Sequence, residues 1–300
     1  MEIRTDQINL KDFGLSDYRL YIRREDQIHP LISGNKYRKL KYNLQKAKQS
    51  GYNRLLTFGG AFSNHLAAVA AAGKAYGFKT VGIVRGDELA LKEKLNPTLH
   101  FCRKKDMKLV YVTRETYKQK TDFQFLKQLE SNFGKFYLLP EGGTNAEAIQ
   151  GCKEIISEED AIYDYICVAV GTGGTMAGLV SSAFSNQEIQ GFSVLKGTFQ
   201  NRLIAEYAGN KKYSLTDAYS FGGYGKIETK LVRFINAFKA KTNILLDPVY
   251  TGKMMYGVMD RMRNNKYPSN AKILVIHTGG VQGIEGMNQL LTKKGIELIN

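Results

Sequence analysis

The sequence predicts an α/β protein whose sheets are mainly parallel and covered by helices, and three observations carry that prediction. Short β-branched or aromatic runs alternate with longer helical patterns along almost the whole chain. Glycine, at 30 residues against 5 prolines, is abundant for a helical bundle and normal where strand-to-helix turns need positive φ. A chain of 300 residues, 43% hydrophobic and 24% charged, can bury a full core, which excludes a disordered or fibrous protein. Its length suggests about two domains.

In chain order, Tyr18–Arg23, Arg54–Phe58, Thr80–Val84, Lys108–Val112, Phe136–Leu139, Tyr165–Val170, Gln190–Val194 and Lys272–Ile276 read as strands. Between them, Leu40, Leu44 and Ala47 mark one helical face, the alanine-rich Leu66–Ala75 a second and Ile227–Phe238 a third. That order is the βαβ pattern, which buries parallel strands under helices. No Pro/Ser-rich linker and no internal repeat divides the chain, so a two-domain split has to cross between strands. The net-acidic stretch Glu154–Asp164 is the expected crossing point.

Composition narrows the function. The net charge of +15 is spread out: each successive block of fifty residues is net positive except 151–200, and no basic run exceeds Arg103-Lys104-Lys105. A lysine-rich surface explains this better than a nucleic-acid footprint. The start carries no apolar signal core, and apolar stretches such as Leu66–Gly73 and Ile166–Val170 are too short for a membrane span, so a cytoplasmic protein is expected. Cys102, Cys152 and Cys167, odd in number and without a Cys-x-x-Cys, read as structural free thiols.

Four constellations carry chemistry. Ser33-Gly34-Asn35-Lys36-Tyr37-Arg38-Lys39-Leu40 delivers a lysine at a helix start, and a neutral lysine amine captures carbonyls. The plain alternative is that Lys36, Arg38, Lys39 and Lys41 form a solvated basic face. Thr57 to Leu66 runs from a strand through Gly59-Gly60 into Ser63-Asn64, where a helix N-terminus suits a carboxylate or is simply capped. Val168 to Gly178 ends a buried strand in Gly171-Thr172-Gly173-Gly174-Thr175, a cradle for one phosphate without the Gly-Lys-Ser/Thr ending of a P-loop. Later, Gly222-Gly223-Tyr224-Gly225, Asp247-Pro248-Val249-Tyr250-Thr251-Gly252-Lys253 and His277-Thr278-Gly279-Gly280 place two tyrosines on glycine-flanked loops.

Together with Pro140-Glu141-Gly142-Gly143-Thr144-Asn145, these motifs, in this order from about Asp26 to Gly280, resemble the fold type II pyridoxal-phosphate enzymes. Within them the sequence is similar to the D-cysteine desulfhydrase/1-aminocyclopropane-1-carboxylate (ACC) deaminase family. The resemblance implies two open twisted sheets, a larger cofactor domain (1–43 and 159–300), a smaller α/β domain (44–158), and a homodimer. It implies pyridoxal phosphate bound through Lys36, with Lys39 and the loop Gly171, Thr172, Gly173, Gly174 and Thr175 at its phosphate. Ser63 and Asn64 would hold the substrate carboxylate and the cofactor's phenolic oxygen, with His65 beside them. Tyr224 and Tyr250 would line the substrate side and pass protons, and Thr251 would stand at the pyridine nitrogen. ACC deaminases carry glutamate and glutamine at the positions of Thr251 and His65. A neutral partner leaves the ring a weaker electron sink, which favours elimination of sulfide from D-cysteine. ACC deaminase, a racemase, deaminase or β-replacement enzyme on another small amino acid, and a non-catalytic phosphate or nucleic-acid binder are the alternatives.

Overall fold

The computed structural model describes residues 3–32 and 34–300; Ser33 of the first motif and the first two residues lie outside them. Ten strands form two sheets: β1 (Thr5–Ile8), β2 (Arg19–Arg23), β3 (Arg54–Gly59), β4 (Lys79–Arg85), β5 (Lys108–Val112), β6 (Tyr137–Leu139), β7 (Tyr165–Val170), β8 (Glu188–Ser193), β9 (Lys212–Thr216) and β10 (Lys272–Ile276). The larger sheet has the order β1-β2-β10-β7-β8-β9 and the smaller β5-β4-β3-β6. Every pairing is parallel except β1 with β2.

The helices are α1 (Asn35–Gln49), α2 (Asn64–Tyr76), α3 (Pro97–Lys104), α4 (Arg114–Lys118), α5 (Phe123–Phe133), α6 (Ala146–Lys153), α7 (Gly174–Ser182), α8 (Asn201–Ala208), α9 (Thr229–Thr242), α10 (Thr251–Arg263) and α11 (Ile284–Lys293). Each sheet is buried on both faces, which explains its nearly continuous apolar strands. On the larger sheet, α9, α10 and α11 cover one face and α7 and α8 the other. On the smaller, α1, α2 and α3 supply one core, while Tyr117, Phe125 and Leu129 of α4 and α5 supply the second. No helix among the described residues is long and apolar enough to cross a membrane.

The eight strands read from the sequence are all present. β1 and β9 were not foreseen: both are sheet edges, and sequences such as Thr-Asp-Gln-Ile bury little, so they lack an apolar signature. The expected boundary at 43–44 falls inside α1, a continuous helix whose Leu40, Leu44 and Ala47 pack into the core of the smaller sheet. Helix α6 lies between α1 and α7, and a side chain at Gly151 would come within 2.0 Å of the Arg38 carbonyl, so only glycine permits this crossing.

Connectivity decides where a site can be. In the larger sheet the chain order reverses between β7 and β10, and in the smaller between β3 and β6. Loops leaving the C-terminal ends of strands at such a reversal diverge and open a crevice. All four of those loops line one cavity of about 630 Å³.

Candidate active site

Helix α1 is set against the loop after β10 by Gly34. Its φ of +61° is a backbone region other residues avoid, and a Cβ there would lie 1.9 Å from the Thr278 carbonyl oxygen. The Asn35 N–H donates to that same oxygen at 3.3 Å. The first turn of α1 therefore points Lys36 into the cavity. The Lys36 amine donates to Asn35 Oδ1 at 3.3 Å, and Asn35 Nδ2 donates to Thr175 Oγ1 at 2.8 Å, tying the lysine to the glycine-threonine loop.

Burial, with the nearby Lys39 cation second, holds the Lys36 amine down at about 7. One turn on, Lys39 is 2% exposed and also lowered by burial. Its ammonium donates to the Gly142 carbonyl and to Thr144 Oγ1, both at 3.0 Å, and a Cβ on Gly174 would sit 3.3 Å from it. Thr144 and Thr172 hydroxyls are 2.5 Å apart. Lys39 thus joins the loop after β6 to the loop after β7. The basic run is not a simple solvated face: Arg38 forms a two-bond pair with the fully buried Glu25 at 2.9 and 3.0 Å, and Lys41, the most exposed of Lys36, Arg38, Lys39 and Lys41 at its charged end, pairs with Glu154 at 2.7 Å.

Across the cavity, Ser63 caps α2 by accepting from the Leu66 N–H at 3.2 Å, and Asn64 Oδ1 accepts from Gln282 at 3.0 Å. His65 is 2% exposed, and its ring, near the Pro140 carbonyl, makes no well-formed hydrogen bond at either nitrogen. Burial first, then the cations of Lys36 and Lys39, push its pKa well below the usual value, so the ring is neutral. The Pro140 carbonyl, on the side that favours its charge, does not offset this. Tyr224 and Tyr250 close the far side with ring centroids 6.1 Å apart at 71°. Both phenols are raised, chiefly by burial, and hold their protons at neutral pH.

The cavity collects Lys36, Lys39, Ser63, Asn64, His65, Gly171, Thr172, Gly173, Thr175, Tyr224 and Tyr250. Gly174 stands just behind, against Lys39. Thr251 is not brought to it: the side chain is fully buried, its hydroxyl donating to Asp247 Oδ1 and accepting from the Asp247 N–H, both at 2.9 Å. Thr278, 8% exposed, lines the cavity instead. Its His277-Thr278-Gly279-Gly280 setting was the sequence signal. Glu141, within the Pro140–Asn145 motif, also lines the mouth, as do Arg85, Glu88 and Arg114 after β4 and β5, which gave no such signal.

The donor set fits an aldehyde phosphate. An amine lowered to about 7 and a second cation wedged against a glycine-threonine helix start are groups such a ligand would satisfy, its carbonyl at the first and its phosphate at the second. Fold and site together define a two-sheet α/β protein whose cavity presents a lysine amine suited to a carbonyl cofactor. Residues 2–279 match the family model described as pyridoxal-phosphate dependent enzyme, and the chain belongs to that family. A Pyrococcus horikoshii protein named putative 1-aminocyclopropane-1-carboxylate deaminase is 33% identical over 289 residues, 88% of this chain and 85% of its own. A Yersinia pestis D-cysteine desulfhydrase is 29% identical over 298 residues, 90% of each chain. A crystal structure of an ACC deaminase homologue superposes with a TM-score of 0.83 at 27% identity, covering 97% of this chain and 94% of its own. The cofactor expected from the sequence, pyridoxal phosphate, is therefore the family's.

Proposed function

We propose that this enzyme deaminates a small amino acid, with Lys36 as the base that moves the substrate's proton. The observation that carries the reading is the Lys36 amine, placed in the cavity and held near 7, where about half of it is free to accept a proton at neutral pH. Bound pyridoxal phosphate supplies an electron sink for charge that develops at Cα. The chain's own residues do the rest. Lys39 and the 171–175 loop would hold the phosphate, while the start of α2, at Ser63 and Asn64, would receive the substrate carboxylate. Tyr224 and Tyr250, protonated at neutral pH, would orient the substrate and donate a proton to what leaves Cβ. The smaller domain, expected at 44–158, is best taken to begin with the whole of α1.

Two substrates remain open, and they differ at Cα: D-cysteine carries a proton there for Lys36 to remove and a thiolate to expel, whereas ACC carries none, so on ACC Lys36 would move a proton at a ring methylene instead. D-cysteine is favoured by His65, the position where ACC deaminases carry glutamine. The companion argument from Thr251, neutral where ACC deaminases carry glutamate, points the same way but more weakly, because that hydroxyl is bonded to Asp247 and does not line the cavity. ACC is favoured by the name of the Pyrococcus relative. The test is a panel of D-cysteine, L-cysteine and ACC given to the yellow holoenzyme and scored for ammonia, sulfide, pyruvate and 2-oxobutyrate. Sulfide with pyruvate assigns the desulfhydrase, 2-oxobutyrate the deaminase. Failure to release ammonia from any small amino acid, or undiminished turnover in Lys36→Ala, overturns the reading.

A further inference from the structure

The Asp247–Lys253 motif ends in a lysine that the chemistry above does not use. Lys253 is 1% exposed, in the first turn of α10, and does not line the cavity. Its ammonium donates to the carbonyls of Ser220 at 2.7 Å and Gly223 at 2.8 Å. A buried ammonium is costly unless well bonded, and here backbone carbonyls, not a carboxylate, bond it.

Those carbonyls belong to the loop that carries Tyr224. Its backbone is demanding: Phe221, Gly222, Gly223 and Gly225 have φ of +51°, +85°, +113° and +66°. Glycine adopts such angles freely but phenylalanine does not, so the loop needs outside support to hold this shape. One face of α10 supplies that support at three successive turns. Lys253 holds the two carbonyls, the Tyr256 ring meets Phe221 edge-on at 5.1 Å, and Asp260 accepts from the Tyr219 hydroxyl at 2.8 Å. Of the three, Lys253 is nearest in sequence to Tyr250 and grips the loop next to Tyr224.

We propose that Lys253 is a positioning residue: its ammonium clamps the 220–225 loop to the start of α10 and so fixes the Tyr224 phenol against Tyr250 on the substrate side of the cleft. The consequence for turnover rests on the function proposed above; the clamp itself does not. Burial lowers the Lys253 amine to about 8, against the raising influence of Asp247 and Glu228, the charged groups that face it. Above that pH the two bonds lose their charge assistance and the clamp weakens.

The experiment compares wild type, Lys253→Met and Lys253→Arg as holoenzymes, by hydrogen–deuterium exchange of the 219–226 segment and by kcat and KM. Lys253→Met is expected to load cofactor normally, to speed exchange in 220–225 about tenfold or more while leaving β7 unchanged, and to lower kcat more than it raises KM. Lys253→Arg should restore protection. Tyr224→Phe should cost less in the Lys253→Met background than in wild type, because loop and phenol act as one unit. Wild-type exchange rates in 220–225 after Lys253→Met, or costs that multiply in full, overturn the proposal. If Lys253→Met does not fold, the wild type decides alone: corrected for intrinsic rates, exchange in 220–225 should rise between pH 7 and 9.5 while β7 stays constant, and no rise overturns the clamp. A protein that turns over no small amino acid sinks the function proposed above, and the exchange result still decides this one.

Discussion

Replacing Lys36 by methionine should make the cofactor-free protein more stable, and the size of the gain can be worked out. An unfolded lysine titrates near 10.5, whereas the folded Lys36 amine titrates near 7, lowered first by burial and then by Lys39. The gap corresponds to about 5 kcal/mol. Water reaches this cleft, so about 3 kcal/mol is the reasonable expectation. Because the folded value lies below the unfolded one, the cost is borne in full below pH 7, where both states are protonated. It fades as pH rises from about 7 towards 10.5, since the folded state has by then lost its proton and the unfolded state has not. For a 300-residue chain, 3 kcal/mol is about 5 °C in Tm. Thermal melts of stripped wild type and Lys36→Met at pH 6, 7, 8.5 and 10 should show the variant melting higher at pH 6 and 7, with the difference closing by pH 10. Lys48→Met, on the exposed side of α1, should change little. A variant that melts lower than wild type at pH 6, or a difference that widens with pH, would refute the account of Lys36 as an amine held neutral by its surroundings.

Two further outcomes test the frame around that amine. Gly34→Ala should cost several kcal/mol and abolish cofactor loading, since the new Cβ would strike the Thr278 carbonyl at 1.9 Å, whereas Gly51→Ala, also at positive φ but in open space, should cost about 1 kcal/mol; urea midpoints and visible absorbance separate the two. Thr251→Val removes the hydroxyl shared with buried Asp247 and should cost about 1–3 kcal/mol, and Thr251→Glu should cost more by setting a second carboxylate there. If Thr251→Glu instead keeps full stability and alters only turnover, the hydroxyl faces the cofactor after all.

What the sequence made legible follows from where each signal lives. Strands buried on both faces write themselves as apolar runs, so β3, β4, β7 and β10 could be read with nearly their true bounds. Glycine-rich turns announce conformations other residues avoid, so the loops at the cavity were marked before their meeting was known. Arg38 and Glu25 are 13 residues apart and join through a fully buried pair, and neither is distinctive in the sequence. Thr251 shows a related limit: a hydroxyl one residue beyond Tyr250 is turned by the helix start towards Asp247, and residue spacing alone does not give that rotation.

The depressed lysine is the property most dependent on the whole fold. Lys36 enters the cavity because Gly34 lets α1 dock on the larger sheet's last loop, and α2 of the smaller sheet brings His65 to the same cavity. The second cation, Lys39, stays in place because Gly142 and Thr144, after β6, bond it against the loop after β7. A lysine on an isolated helix with the same sequence would titrate as an ordinary amine. The reactive group is thus written locally, but its reactivity is assembled by four loops from two sheets. Substitutions at Gly34 or Thr144, which need not touch a substrate, should consequently shift the Lys36 amine as well as the stability of the fold.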